Sequence, residues 1–140
     1  MICTFFGHRD APAWVEERLE AEVMTLIETR NADIFYVGDQ GNFDKMAQRV
    51  ILRVMKRDIS IRGSIVLHRI PKREISTELA SFVPDGLECI PPRYAISHRN
   101  RWMVEHSDVV IAYVVRSFGG AAQCVSLAQK KNKTVIFLQE

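Results

Sequence analysis

Short apolar segments alternate with amphipathic segments along the whole chain. Five apolar segments have the length and near-continuous hydrophobicity of buried strands: residues 2–6, 33–37, 63–69, 108–115 and 134–138. In the segments between them, apolar side chains recur every three or four positions, which predicts helices over residues 12–30, 44–57, 95–106 and 121–131. Residues 72–82 fit a further short helix, and residues 83–92 fit a loop or a short edge strand.

This order of elements predicts an α/β fold with three layers, in which helices cover both faces of a mainly parallel sheet. We expect one domain over residues 1–140 with five strands in the order 3-2-1-4-5, because right-handed crossovers leave few other arrangements. The long connection over residues 70–107 then brings the chain back to the other side of the first strand. The strand order therefore reverses between strands one and four.

Ligands of open α/β sheets bind beyond the carboxyl ends of the strands, at the point where the strand order reverses. Two distant segments meet there: Gly7, His8, Arg9 and Asp10 follow the first strand, and residues 116–120 follow the fourth. The planar guanidinium of Arg9 fits a phosphate or a carboxylate, although an ion pair with Asp10 or another acid on the surface is the alternative. His8 can stack on a ligand, donate a hydrogen bond or simply cap the turn.

A pair of glycines lies between the fourth strand and the helix that follows it. Gly119 and Gly120 allow backbone N–H groups to approach an anion, and the start of a helix adds partial positive charge, so this turn fits a phosphate. Ser117 and Ala121 flank the pair and are candidate contacts. A tight turn that requires positive φ and binds nothing is the alternative.

The segment after the second strand offers groups for a sugar or a base. The amide and carboxylate side chains of this segment suit ribose hydroxyls or a base edge. The candidate binding residues of the segment are Gly38, Asp39, Gly41, Phe43 and Asp44. Helix capping is the alternative role for Asp44. Arg99 lies in the helix before strand four. It either reaches an anion at the switch point, where the strand order reverses, or lies on a solvated helix face.

Composition narrows the classes of protein that fit. The chain has 140 residues, is 47% hydrophobic and carries a formal net charge of +2, as an ordinary soluble domain does. Cys3, Cys89 and Cys124 are odd in number and far apart, so we expect reduced thiols, a cytoplasmic location and no metal site. The sequence contains neither an apolar run of membrane length nor a signal segment, so we expect no membrane partner.

Several of these motifs together resemble the YpsA-like (DUF1273) branch of the SLOG superfamily. The resemblance rests on residues 5–9, 41–44, 99–104 and 107–112 and on the glycine pair before a helix, in the same order along the chain. It implies a Rossmann-like fold and a nucleotide or nucleotide-derived ligand, such as ADP-ribose, NAD or a nucleoside monophosphate, with its phosphate on the glycine pair. The superfamily also includes the DNA-processing DprA/Smf proteins and the "lonely guy" phosphoribohydrolases, and its members commonly form homodimers.

The sequence departs from the phosphoribohydrolase pattern GGxGTxxE of this superfamily. Ala122 and Gln123 replace the Gly-Thr pair and Ser126 replaces the glutamate, so the group expected to assist cleavage of an N-glycosidic bond is missing. YpsA-like relatives often carry threonine after the glycine pair, where this chain has Ala121. The resemblance therefore favours binding over catalysis.

The sequence supports three functions, in order of preference. The first is a domain that binds or senses a nucleotide-type ligand without catalysis and without a further cofactor. The second is an N-glycosidic hydrolase, with Asp10, Asp39 and Asp44 as the candidate acids. The third is a DprA-like partner of single-stranded DNA, against which the net charge of +2 and the lack of a basic run interleaved with aromatic residues both weigh.

Overall fold

The structure is a computed structural model of the 140-residue chain and describes residues 1–73 and 78–140. Its strands are β1 (Ile2–Gly7), β2 (Ile34–Val37), β3 (Arg62–Val66), β4 (Ala80–Phe82), β5 (Val109–Tyr113) and β6 (Thr134–Phe137). Its helices are α1 (Trp14–Arg30), α2 (Gly41–Arg57), α3 (Pro92–Glu105) and α4 (Gly120–Lys130), and a single 3₁₀ turn (Leu87–Cys89) precedes α3.

The strands form one parallel sheet in the order β4-β3-β2-β1-β5-β6. The α/β, Rossmann-like fold and the relative order of the five predicted strands are confirmed, but the predicted number is wrong, because β4 adds a sixth strand beyond β3. The helix predicted over residues 72–82 is wrong wherever the structure describes it: residues 80–82 form β4, and residues 72–73 and 78–79 are not helical. Residues 74–77 lie outside the described residues. The backbone N–H of Leu67 donates to the carbonyl oxygen of Phe82 at 2.8 Å, so pairing at the open edge of β3 replaces the local helix.

Helices α1 and α2 cover one face of the sheet, and α3 and α4 cover the other. Every residue of β5 is buried, which explains why this strand is continuously apolar. On the side of α1 and α2, Phe5 and Phe35 stack with ring centroids 6.0 Å apart. Full burial of a side chain of this size contributes about 1.5–3 kcal/mol, so packing of the helices on both faces stabilises the sheet beneath its edge loops.

Two helices, α2 and α3, begin three residues earlier than the sequence pattern predicts, and both extend toward the carboxyl edge of the sheet. Helix α2 begins at Gly41 because Asp44 Oδ2 accepts a hydrogen bond from the backbone N–H of Gln40 at 2.8 Å, which closes the first turn. Helix α3 begins at Pro92, because the fixed φ of proline suits the first position of a helix.

The strand order reverses at β1, as predicted. Thr4 of β1 pairs with Tyr36 of β2 on one side and with Val110 of β5 on the other. The carboxyl ends of β1 and β5 lie opposite each other, with Gly7 paired to Tyr113. The loops that follow these two strands are thereby brought together.

Candidate functional site

A cleft of about 460 Å³ opens at the carboxyl edge of the sheet, where β1 and β5 end. The predicted site residues that line it are Gly7, His8, Arg9, Asp10, Asp44, Arg99, Gly119, Gly120 and Ala121. The predicted residues outside its lining are Gly38, Asp39, Gly41, Phe43 and Ser117. The fold therefore brings residues from both ends of the chain into one concave surface.

The first turn of α4 presents an open helix N-terminus to this cleft. Gly119 precedes the helix with a φ of +97°, which favours glycine, and no side chain caps the turn. A Cβ atom placed on Gly119 or Gly120 would meet no other atom within 4 Å. Because amide groups in the first turn of a helix lack intrahelical partners, this opening can seat an anion.

Two other predicted glycines are explained by close packing. A Cβ atom on Gly7 would overlap the ring of Phe43, which is fully buried in the core. Gly41 has a φ of +82° and lies against the Cβ and Cγ atoms of Arg9. Both glycines let the loop between β2 and α2 approach β1, and they thereby fix one wall of the cleft.

The ring of His8 holds the loop between β5 and α4. Its Nε2 accepts hydrogen bonds from the backbone N–H of Val115 at 3.0 Å and of Arg116 at 3.3 Å. An accepting Nε2 requires the neutral ring with its proton on Nδ1. Burial of the ring, and then the charge of Arg116, lower the pKa of His8 and favour this neutral form. His8 therefore positions the loop that leads to Gly119.

A bidentate ion pair crosses the rim of the cleft from β1 to the β5–α4 loop. Arg116 donates from Nη1 and Nη2 to the two carboxylate oxygens of Asp10, at 3.0 and 2.8 Å. The hydrogen bonds from Arg116 lower the pKa of Asp10 to about 2. The predicted alternative paired Asp10 with Arg9, but Arg9 Nη2 donates instead to the neutral Gln40 Oε1 at 3.2 Å. The hydrogen bond of Arg9 is thus made to a neutral group, and its charge also acts on the nearby carboxyl group of Asp44.

Arg99 is only 2% exposed, so the solvated helix face predicted as one alternative is wrong. Its Nη1 donates to Asp39 Oδ1 at 2.9 Å and to the carbonyl oxygen of Val66 at 2.8 Å. Its Nε donates to Asn100 Oδ1 at 2.8 Å. These bonds join α3 to the ends of β2 and β3, and Asp39 serves as the partner of Arg99 behind the cleft wall.

Asp44 is a nearly buried carboxyl group at the side of the cleft. Burial raises its pKa to about 6, and the hydrogen bond from the Gln40 N–H acts in the opposite direction. A Cβ atom on Gly38 would overlap this carboxyl group, which explains the glycine there. The N-cap residue of α2 is Gln40, so Asp44 does not cap the helix as predicted but accepts the Gln40 N–H from within the first turn. Its pKa also gives it the proton affinity of a general acid or base.

Six residues line the cleft in addition to those predicted: Phe6, Gln40, Ile96, Asn100, Arg116 and Phe118. Phe118 is notable because it is 69% exposed, and the guanidinium of Arg116 lies 5.9 Å from its ring centroid. The sequence indicated Phe118 only through its position within residues 116–120, the segment that follows the fourth predicted strand and meets residues 7–10. Hydrophobicity alone does not separate an exposed phenylalanine from a buried one.

In the part of the chain that the structure describes, no group of three or more His, Cys, Asp or Glu side chains is placed to hold a metal ion. Burial raises the pKa of the Cys3 and Cys124 thiols to about 12, so neither is a thiolate at neutral pH. Within residues 1–73 and 78–140, no helix is both long enough and apolar enough to cross a bilayer.

Comparison with solved structures supports the fold and changes the expected partner. No protein-family model and no curated protein sequence match this chain. The structure is similar to DNA processing protein A from Helicobacter pylori, which has a unique single-stranded DNA binding mode, with a TM-score of 0.70 and 17% identity over 100% of this chain. It is also similar to DNA processing protein A (DprA) from Streptococcus pneumoniae, with a TM-score of 0.71 and 14% identity over 96% of this chain. The chain spans 66% of the first protein and 49% of the second.

These likenesses show that the chain has the Rossmann-like fold of DprA. They also contradict the expectation that weighed against nucleic acid as a partner, since a protein with this fold binds single-stranded DNA. That expectation rested on the net charge of the whole chain and on the lack of a basic run interleaved with aromatic residues. Neither observation reports how charges from distant parts of the chain are grouped on the folded surface. Neither likeness bears on the YpsA-like branch.

Proposed function

We propose that this protein binds single-stranded nucleic acid in the cleft, with one backbone phosphate at the N-terminus of α4. The observation that carries the proposal is the open first turn at Gly119 and Gly120, with Arg9 lining the same cleft. The partial charge of the helix and the full charge of the guanidinium both favour a phosphate. The similarity to DprA, including the H. pylori protein that binds single-stranded DNA, agrees with this choice of ligand.

An exposed aromatic side chain lies directly before the proposed phosphate position. Phe118 lines the cleft and precedes Gly119 in the chain. Stacking of a base on an aromatic ring contributes about 1–3 kcal/mol and tolerates any base. Since the bases of a duplex are already stacked on one another, a cationic cleft with an exposed ring favours an unpaired strand.

The proposal is tested by fluorescence anisotropy with a labelled oligothymidylate, compared with duplex DNA at the same salt concentration. We expect tighter binding of the single strand. Arg9→Ala removes a charged hydrogen-bond donor and should weaken binding about tenfold or more. Gly120→Val should also weaken binding, because a side chain here occupies the proposed phosphate position, and its Cβ atom meets no other protein atom within 4 Å.

Arg18→Ala is the matched control, because Arg18 is exposed on α1, which contributes no residue to the cleft. It removes the same charge as Arg9→Ala at a distant place. Wild-type affinity in Arg18→Ala, together with loss in the two cleft variants, would support the proposal. Equal affinities of Arg9→Ala and Arg18→Ala, or no binding of the oligonucleotide to the wild type at low salt, would contradict it.

A free nucleotide-type ligand is the second candidate, and it is the function that the YpsA-like resemblance implies. The cleft volume of about 460 Å³ favours it, since small-molecule pockets span about 300–1,000 Å³. Gln40, Asp44 and Asn100 also line the cleft with groups that can meet a base edge. ADP-ribose, NAD or AMP should then raise the melting temperature and displace the oligonucleotide. If the protein releases a free base from one of these ligands and Asp44→Asn abolishes the release, the function extends to N-glycosidic hydrolysis. If none of the three ligands changes the melting temperature, the candidate is eliminated.

A further inference from the structure

The exposed face of α3 carries basic and aromatic side chains in successive turns. Arg93 and Tyr94 lie in its first turn, His98 lies one turn later and Arg101 in the turn after that, and all four are exposed. The guanidinium of Arg93 lies over the ring of Tyr94, 4.8 Å from the centroid. Glu105, the last residue, is the single carboxylate in the sequence of this helix. The exposed Arg93 and Arg101 outnumber this one carboxylate, so the face carries a net positive charge.

A groove of about 230 Å³ between α3 and α4 adjoins the cleft. Asn100 and Gly120 line both the groove and the cleft, so the two surfaces are continuous at the first turn of α4. The groove is also lined by Ser97, His98, Arg101, Gln123 and Leu127. None of the described residues that line it is a carboxylate, and its lining contains both polar and apolar side chains.

We propose that the α3–α4 groove is a second nucleotide subsite, which takes the nucleotide adjacent to the one in the cleft. This inference rests on the proposed function of the cleft. A strand whose phosphate lies at the first turn of α4 passes over Gly120 and Asn100 when it leaves the cleft toward α3. Beyond that point it meets the groove, and no carboxylate among the described lining residues repels it.

The side chains of the groove suit the parts of a nucleotide. Arg101 reaches a phosphate, and its ion pair with Glu105, at 2.8 Å, is an exposed pair on one helix that competes weakly for the guanidinium. The amide of Gln123 offers a donor and an acceptor to a sugar or a base edge. Leu127 adds apolar surface for the face of a base. Each contact is independent of base identity or nearly so, as expected for a strand bound without sequence preference.

The experiment compares two ligands in the full chain: thymidine monophosphate, which fills the cleft alone, and an oligothymidylate long enough to cover both surfaces. Arg101→Gln and Gln123→Ala should each weaken the oligothymidylate several-fold and leave the affinity for the monophosphate unchanged. Arg101→Gln should also lower the steepness of the salt dependence by about 0.7, the value for one phosphate contact in a single strand. Arg18→Gln on α1 is the matched control for the lost charge.

The outcomes separate the subsite from the cleft. If Arg101→Gln and Gln123→Ala bind the oligothymidylate as tightly as Arg18→Gln does, while Arg9→Ala abolishes binding, the subsite is overturned and the cleft stands. If the groove variants weaken both ligands equally, the groove is part of the first site and the inference is also overturned. If neither ligand binds the wild type, the proposed function fails and the subsite with it.

Discussion

A hydrogen bond and burial act in opposite directions on the ionisation of the Asp44 carboxyl group. The carboxyl accepts the N–H of Gln40 at 2.8 Å and so closes the first turn of α2, a contact that favours the ionised form. Its burial disfavours that form and dominates, since the pKa is raised from 3.8 to about 6. At neutral pH, therefore, the fold holds an ionised carboxylate in surroundings that favour the protonated one.

Replacement of Asp44 by asparagine should stabilise the protein at neutral pH. A shift from 3.8 to about 6 makes ionised Asp44 unfavourable by up to about 3 kcal/mol, and asparagine keeps an oxygen for the Gln40 N–H. We expect Asp44→Asn to raise the free energy of unfolding by about 1–3 kcal/mol above pH 6. The gain should shrink as the pH falls from 6 toward 3.8, because the folded wild type takes up its proton there before the unfolded chain does. Urea unfolding across this range measures it, and a difference that does not change with pH would contradict the explanation.

The sequence placed most residues of the cleft correctly but could not assign what each one does. Gly7 was grouped with ligand contacts because it follows the first strand, and Gly41 because it lies in the segment after the second strand. In the structure, Gly7 accommodates the ring of Phe43 and Gly41 the side chain of Arg9. Sequence position shows that a glycine lies at a strand end. It does not show which distant side chain approaches, since that depends on how two elements pack.

At the scale of elements, the residues that follow β1 hold the loop between β5 and α4 in place. His8 holds the backbone of this loop through Nε2, and Asp10 holds the side chain of Arg116. The hydrogen bonds of His8 require the neutral ring, so protonation removes them and places a charge beside Arg116. The position of the loop before Gly119 is thereby linked to the protonation of one imidazole.

Substitution of His8 should change the pH dependence of stability. The pKa of His8 is lowered from 6.5 in the folded protein, so the wild type should lose stability as the pH falls below 6.5, where the unfolded chain binds the proton first. His8→Leu should be less stable by about 1 kcal/mol at neutral pH, since two backbone N–H groups lose their acceptor. Below pH 6.5 the difference from wild type should narrow. His98→Gln, at an exposed position of α3, is the control, and a parallel decline of wild type and His8→Leu would rule out this role of the ring.

The fold was predictable from the sequence where elements are long and strongly apolar. The five strands with near-continuous hydrophobicity are all present in the predicted order. The inner strands β1 and β5 are the most completely buried, as expected for a parallel sheet covered on both faces. The edge strand β4 is three residues long, two of them exposed, and it exists because β3 offers an unpaired edge. A strand stabilised by a distant partner has almost no local signal, which is why residues 80–82 were assigned to a helix.

At the scale of the whole molecule, charge is distributed unevenly between the two helical layers. On the side of α1 and α2, Arg49 pairs with Glu16 at 2.6 Å and Arg53 pairs with Glu20 at 2.7 Å. Helix α3, on the other side, has the carboxylate of Glu105 only, at its last position. A net charge of +2 therefore hides a neutralised layer and a cationic one. The sequence-based expectation about nucleic acid failed because composition carries no information about which face a charge occupies.

The ion pair between Asp10 and Arg116 sets how much of that positive charge a ligand meets in the cleft. Nη1 and Nη2 of Arg116 both donate to Asp10, so an incoming phosphate must compete with a bound carboxylate for these two nitrogens. Asp10→Asn removes the competing charge and leaves the guanidinium in place. If the cleft binds single-stranded nucleic acid, this variant should bind an oligothymidylate several-fold more tightly than the wild type does. Its salt dependence should be steeper by about 0.7, as one additional phosphate contact requires.

The matched control for this prediction is Asp33→Asn, which makes the same change of charge at the opposite edge of the sheet. Asp33 is exposed there and pairs with the N-terminal ammonium group of Met1 at 2.8 Å. A gain of affinity in Asp10→Asn alone shows that Arg116 has been released to the ligand. If both variants gain affinity equally, the effect comes from net charge alone. If Asp10→Asn binds the oligothymidylate more weakly than the wild type does, Asp10 orients Arg116 for the strand instead of competing with it. Because an exposed ion pair contributes little to stability, the melting temperatures of both variants should stay close to that of the wild type, so the comparison measures binding rather than folding.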